Sequence, residues 1–114
     1  MLRTTMLLAG LLALTGGIAP ASAVGKAKPT TQAHHVHVIV IDQMQYGPMP
    51  TDVRAGDIIE WTNKDILEHS ATARDGHFDV DLKPGTSGRI TATAGTLAFF
   101  CKFHPTMTGT LVVK

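Results

Sequence analysis

Between Leu97 and Val113 the chain reads LAFFCKFHPTMTGTLVV, a strand-like run, a short connection and a second strand-like run. Leu97 to Cys101 and Thr110 to Val113 carry the aromatic and β-branched residues that suit a pleated, half-buried surface. The connection sets Cys101, His104 and Met107 at intervals of three, with Pro105 and Gly109 restricting its shape. A thiolate, an imidazole and a thioether are metal ligands of graded softness. The two sulfurs suit copper, and the imidazole serves both of its oxidation states.

Upstream, the same strand grammar recurs. Val36 to Ile41 (VHVIVI) has a period of two that puts His35 and His37 opposite Val36 and Val38. Gly47-Pro48 and Pro50 punctuate the next stretch. Asp57 to Asn63 (DIIEWTN) follows Ala55-Gly56 and places Ile59 and Trp61 on one face. Phe78 to Leu82 is closed by Pro84-Gly85, and Arg89 to Thr93 turns Ile90 and Ala92 inward before Gly95. Asn63 to Ala73 lacks clear alternation, and its polar density predicts a loop. About seven or eight short strands with Gly or Pro at the corners predict an all-β fold, an antiparallel sandwich or barrel.

The 114 residues allow one domain and no second sizeable core. A formal net charge of +1 gives no electrostatic basis for nucleic-acid binding, which normally uses a concentrated basic face. At the amino end, Arg3 is followed by the apolar run Met6 to Ile18 and then by small residues at Ala21-Ser22-Ala23. That three-part pattern predicts a cleaved secretory signal over residues 1–23. A membrane anchor needs about 20 apolar residues, and this run breaks at Gly16-Gly17 and Pro20. A flexible leader is expected over 24–34 and the folded domain over 35–114, exported to the periplasm and with no membrane attachment after cleavage. One cysteine excludes an intrachain disulfide and any Cys₄ or Cys₂His₂ zinc site. A free thiol is a liability in an oxidising compartment, whereas a metal-bound one is protected.

The Cys-His-Met loop lacks one strong donor. His69, in Leu67-Glu68-His69-Ser70-Ala71, is the candidate, because loops at one end of a Greek-key sandwich gather residues distant in sequence. Two imidazoles and a thiolate in a trigonal set, with a long axial thioether, define a blue-copper electron-transfer site. Taken singly, Cys101 reads as a small buried hydrophobe, Met107 as core filler and His104 as a surface histidine. Their joint spacing in an exported chain with no second thiol favours ligation.

On these residues the chain resembles the cupredoxins from about Val36 to Lys114. Its Cys-x-x-His-x-x-Met spacing is similar to that of amicyanins, more than to the longer His-to-Met gap of plastocyanins and pseudoazurins. The Val53-Arg54-Ala55-Gly56-Asp57 turn, the Trp61 strand and Asn63 belong to the same resemblance. It implies an eight-stranded Greek-key sandwich in which His69, Cys101, His104 and Met107 hold one copper ion, with the ring edge of His104 reaching the surface. Where relatives usually carry Asn after the first histidine, this chain has Ser70, whose hydroxyl is expected to tie the two ligand loops only in part.

The expected function is a one-electron shuttle between redox partner proteins, acting as a monomer. By resemblance a dehydrogenase or a c-type cytochrome is possible as partner. The competing reading is a periplasmic copper carrier or scavenger. An enzyme is disfavoured, because a saturated site leaves no open coordination position. Met44, Pro48 and Met49 are candidates for apolar surface near His104, with ordinary loop packing as the alternative. His34, His35 and His37 form a polar edge, with a second, weaker metal site as the less common alternative, and His77 reads as turn surface.

Overall fold

The computed structural model describes residues 33–114, together with Gly10, Gly16 and Gly17. The expected signal segment and most of the expected leader lie outside the described residues. Eight strands follow in order: β1 (Val36–Asp42), β2 (Gln45–Tyr46), β3 (Ile58–Asn63), β4 (His69–Ala73), β5 (Asp79–Leu82), β6 (Ser87–Thr91), β7 (Gly95–Phe100) and β8 (Thr108–Val113). They form two four-stranded sheets with orders β2-β1-β3-β6 and β5-β4-β7-β8. This is the all-β sandwich that the strand spacing predicts.

The inner faces meet where alternation puts large apolar residues. Ile39, Ile41, Ile59, Trp61, Leu82, Phe99 and Leu111 are buried. Phe99 is the hub of the aromatic core, edge-on to Tyr46 at 4.9 Å and to Trp61 at 5.4 Å between ring centroids. Gly109 lies opposite Phe99 in the β7–β8 register. A Cβ at Gly109 would sit 2.5 Å from Phe99 Cζ, so glycine is needed for the ring to lie against β8 there.

Three features depart from the sequence reading. β1 and β3 pair in parallel, Val36 with Ile58 through Ile41 with Asn63, whereas all other strand pairs are antiparallel. The reason lies in the connection, which crosses to the other sheet before returning. Val53 bridges Val113 in parallel, and Lys114 N–H donates to Val53 O at 2.9 Å. The segment predicted as loop, Asn63 to Ala73, contains β4. Four of its five residues are buried, so both faces are covered and no in-out alternation marks it. The third departure is β2, a two-residue strand joined to β1 by Gln43-Met44.

That turn is strained. Gln43 and Met44 have φ of 50° and 63°, the doubly left-handed geometry of a two-residue hairpin that prefers Asn-Gly. The conformation aims the Met44 N–H at Asp65 Oδ2, 3.0 Å away.

At the far end of the same sheet, the buried Asp57 carboxylate accepts the N–H groups of Arg54 at 3.0 Å and His35 at 3.1 Å, and His37 Nε2 lies 2.8 Å from it. These donors, the Arg54 amide foremost, hold the Asp57 carboxyl well below its ordinary value of 3.8.

Two outcomes follow from these observations. Replacing Gln43-Met44 by Asn-Gly keeps the Met44-position amide and relieves the left-handed strain. It is expected to raise unfolding free energy by about 1 kcal/mol in urea titration. For Asp57 the depressed value means that its contribution is fully present above the ordinary carboxylate range and is lost as pH falls through the lower folded value. Stability measured against pH should therefore fall on acidification below about 4 in the native chain, and with a shallower slope in Asp57→Asn.

Candidate metal centre

Two loops meet at the end of the sandwich where β3 finishes. One joins β7 to β8 and carries Cys101, His104 and Met107. Its backbone closes on itself: His104 N–H donates to Cys101 O at 3.2 Å, Met107 N–H to His104 O at 2.9 Å, and Cys101 N–H to Met107 O at 3.0 Å. The three residues spaced by three therefore satisfy one another in a closed cycle. With those polar groups paired, Cys101 and Met107 can be buried at no cost in unmet hydrogen bonds.

The other loop joins β3 to β4 and ends at His69, which is fully buried. Asn63 organises it. Its Nδ2 donates to Leu67 O at 2.8 Å and to Leu82 O at 2.9 Å, and its Oδ1 accepts the Asp65 N–H at 2.9 Å. Asp65 Oδ2 then lies 2.9 Å from His69 Nε2 and also accepts the Met44 amide. A carboxylate acceptor fixes the ring proton on Nε2 and leaves the Nδ1 lone pair free. Bonding to His69, with the Met44 amide next, holds the Asp65 carboxyl down to about 2.

The free Nδ1 of His69 lies 3.8 Å from Cys101 Sγ, and His104 Nδ1 lies 3.6 Å from the same sulfur. All three ligand atoms fall within 4.8 Å of one another. With metal–sulfur and metal–nitrogen bonds of about 2.3 and 2.0 Å, the lengths these donors make to zinc, angles of 109–120° separate N and S by about 3.5–3.7 Å. The observed spacings fit one ion between them. The chemistry of the donors selects copper, since two imidazoles, one thiolate and a nearby thioether match the trigonal copper set. Closed zinc sites take four strong donors and no thioether. Met107 is buried beside the trio, with its main chain bonded to both Cys101 and His104.

The two loops are tied by Ser70. Its Oγ accepts the Lys102 N–H at 2.9 Å and pairs with Thr72 Oγ1, which donates to Asp79 Oδ1 at 2.8 Å. Lys102 Nζ returns to Asp79 and Asp81, closing a ring of polar contacts across the loops. Asp81 and then Asp79 raise the lysine, and Lys102 and Thr72 lower Asp79. The Ser70 side chain thus ties the loops through one hydrogen bond, which Thr72 extends to Asp79. Tyr46 O–H donates to Ser70 O, and burial, with Cys101 nearby, pushes that phenol up.

His69, Cys101 and His104 are therefore brought together as expected, and His104 is half-buried. Met49 is partly buried and packed against the core, whereas Met44 is 38% exposed and Pro48 is exposed. Ile66 and Leu67, 86% and 44% exposed, supply apolar surface on the His69 loop that was not anticipated. Asp65 was also missed. Its only sequence signal is a carboxylate four residues before a histidine, which carries no meaning until the loop is folded. His77 is exposed and pairs with Asp75, as a turn-surface residue does.

The cupredoxin-like domain family matches residues 7–113 of the chain. Amicyanin from Paracoccus versutus is 27% identical over 84 residues, a region that is 68% of this chain and 64% of that protein's length. The crystal structure of amicyanin from that organism superposes with a TM-score of 0.59 at 25% identity, covering 72% of this chain and 83% of that one. A purple cupredoxin from Nitrosopumilus maritimus shares the fold, with a TM-score of 0.59 at 22% identity over 68% of this chain and 98% of that one.

Removing the Asp65 carboxylate frees the His69 ring to turn and lowers its basicity. Asp65→Ala is expected to weaken metal affinity by about 10–100-fold in competition titration against a chelator, with Asp65→Asn falling between it and the native chain.

Proposed function

This chain belongs to the cupredoxin-like family, and from that premise we propose that it is a blue copper protein that carries single electrons between redox partners. The observation that carries the reading is the convergence of His69 Nδ1 and His104 Nδ1 on Cys101 Sγ, at 3.8 and 3.6 Å. Copper bound there supplies a Cu(I)/Cu(II) couple.

In this reading His69, Cys101 and His104 would hold the ion through two imidazole nitrogens and a thiolate, and Met107 would add a weaker thioether donor. Asp65 keeps His69 turned toward Cys101, and the closed backbone cycle keeps Cys101, His104 and Met107 from shifting when the charge at the site changes. A frame that moves little between the two states keeps the reorganisation cost of electron transfer low. Burial of Cys101 and His69 excludes water, so the half-buried His104 is the port through which the site meets a partner. Phe103, 45% exposed, neighbours His104, and Ile66, Leu67 and Met44 offer further apolar surface on the loops that carry or brace His69. Such surface suits brief docking at the small end of interface sizes. The partner is a redox protein, with a dehydrogenase or a c-type cytochrome as candidates, and the protein acts as a monomer rather than as an enzyme.

Residues 1–23 are proposed as the signal that delivers the chain to the periplasm. No helix among the described residues is long and apolar enough to cross a membrane.

The test is the visible and EPR spectrum of the domain loaded with Cu(II), followed by dithionite. An intense blue band that bleaches and returns on reoxidation supports the shuttle. A pale or absent band rejects it in favour of a copper carrier. In the same protein Met107→Leu removes a donor that favours Cu(II), so redox titration should give a higher potential, and an unchanged value removes the axial role.

A further inference from the structure

The end of the sandwich opposite the Cys101 loop carries a second set of imidazoles. Alternation along β1 places residues 37, 39 and 41 on one face, and His35, just ahead of the strand, continues that row. Ile39 and Ile41 of that row are buried in the core, yet its last two positions are His37, with a side chain 16% exposed, and the exposed His35. Val36 and Val38 point the other way and are 47% and 49% exposed. A strand selected only for burial would exchange these residue types.

The geometry points to a second transition-metal site here, an exchangeable Cu(II) site built on His35 and His37 with His34 at its rim. His37 Nε2 lies 2.8 Å from Asp57 Oδ2. The Asp57 carboxylate is itself buried and fixed by the main-chain N–H groups of Arg54 and His35. This is the device that orients His69 through Asp65: a carboxylate holds the proton on Nε2 and leaves Nδ1 as a donor. The ring of His35 stands beside it, with centroids 6.5 Å apart and planes tilted by 57°. One ion about 2.0–2.1 Å from a nitrogen of each ring needs the centroids about 4.5 Å apart for adjacent positions of a tetragonal ion, so the exposed His35 ring must swing toward His37 by about 2 Å on binding. The same carboxylate anchors both residues, one through its ring and one through its amide.

His34 completes the rim. Its ring lies against Gly56, where a Cβ would stand 2.8 Å from Cε1 and 2.9 Å from Nδ1. Gly56 also has a φ of +92°, so glycine serves both the turn and the close approach. The three rings border an open cleft of roughly 750 Å³, shared with Asp52, Arg54 and Asp57. Of the two carboxylates, Asp52 pairs with Lys114 Nζ at 3.4 Å, so Asp57 is the acid that faces the imidazoles.

Among the described residues, the only trio of donor atoms already gathered is His69, Cys101 and His104. The histidine donors are not gathered in advance, so the proposed site assembles on binding, with water completing its shell; two or three imidazoles with water suit tetragonal Cu(II), the tightest-bound of the divalent first-row ions. β1 and β3 run between the two centres over about six residues, roughly 20 Å, so each fills independently.

The test adds a second equivalent of Cu(II) to copper-loaded full-length protein and follows EPR and the visible band. The native chain should show a new tetragonal signal with nitrogen splitting while the first site's absorption is unchanged. His35→Ala, whose side chain is exposed and whose amide still reaches Asp57, should weaken that binding by at least about 10–100-fold. His37→Ala should do the same, and Asp57→Asn should weaken it less, acting through His37. In a Cys101→Ala background, where His69 and His104 can hold a tetragonal ion of their own, adding His35→Ala/His37→Ala should remove one equivalent of tetragonal Cu(II) whether or not the native chain is blue, which separates this site from the redox reading. No second signal in the native chain, or one that survives in the His35→Ala/His37→Ala double variant, overturns the proposal.

Discussion

Three backbone hydrogen bonds hold the chemistry of this protein in place. Cys101, His104 and Met107 each give their N–H to one member of the group and their C=O to another. Such a cycle needs neither a strand partner nor water. It lets the two ends of an otherwise exposed loop, Cys101 and Met107, be buried, since unpaired main-chain groups there would each cost about 1–3 kcal/mol. It also fixes the origin of three side chains of different softness.

The cycle supplies only half of the site. The other half comes from adjacency in the second sheet, where β4 and β7 pair through Thr72 with Phe100 and Ala73 with Phe99. Continuing that register puts Ala71 level with Cys101 and Ser70 level with Lys102, with His69 one place further on. The Ser70 hydroxyl then bonds the Lys102 amide, and Asp65 sets the His69 ring. Asp65 in turn relies on Asn63 and on a Met44 amide presented by a strained turn. Left-handed geometry at a side chain larger than glycine is tolerated here because it positions a donor for the carboxylate that orients a ligand.

Much of this was legible before the fold was known. β1 and β3 announce themselves by alternation, and β7 and β8 by their aromatic and β-branched residues. Cys101, His104 and Met107 announce themselves by spacing, because short local patterns survive without tertiary context. β4 was hidden because strands covered on both faces lose their alternation, and its hydroxyls read as loop. The parallel pairing of β1 with β3 depends on a crossover tied at Val53 and Val113, which no local signal encodes. Asp65 and Met44 were invisible for a related reason, since each acquires its role only when two turns from different parts of the chain meet. The orientation of β1 was readable as a period but not as a direction. Only the sandwich decides that His37 continues the core row and Val38 faces water.

The central claim is that protein hydrogen bonds, and not the ion, set the positions of the donors. Crystal structures of the metal-free and copper-loaded protein measure this most directly. The account predicts that His69 Nδ1 and His104 Nδ1 stay close to 3.8 and 3.6 Å from Cys101 Sγ in both. A metal-free structure with the His69 ring turned off Asp65 and away from the sulfur would contradict it.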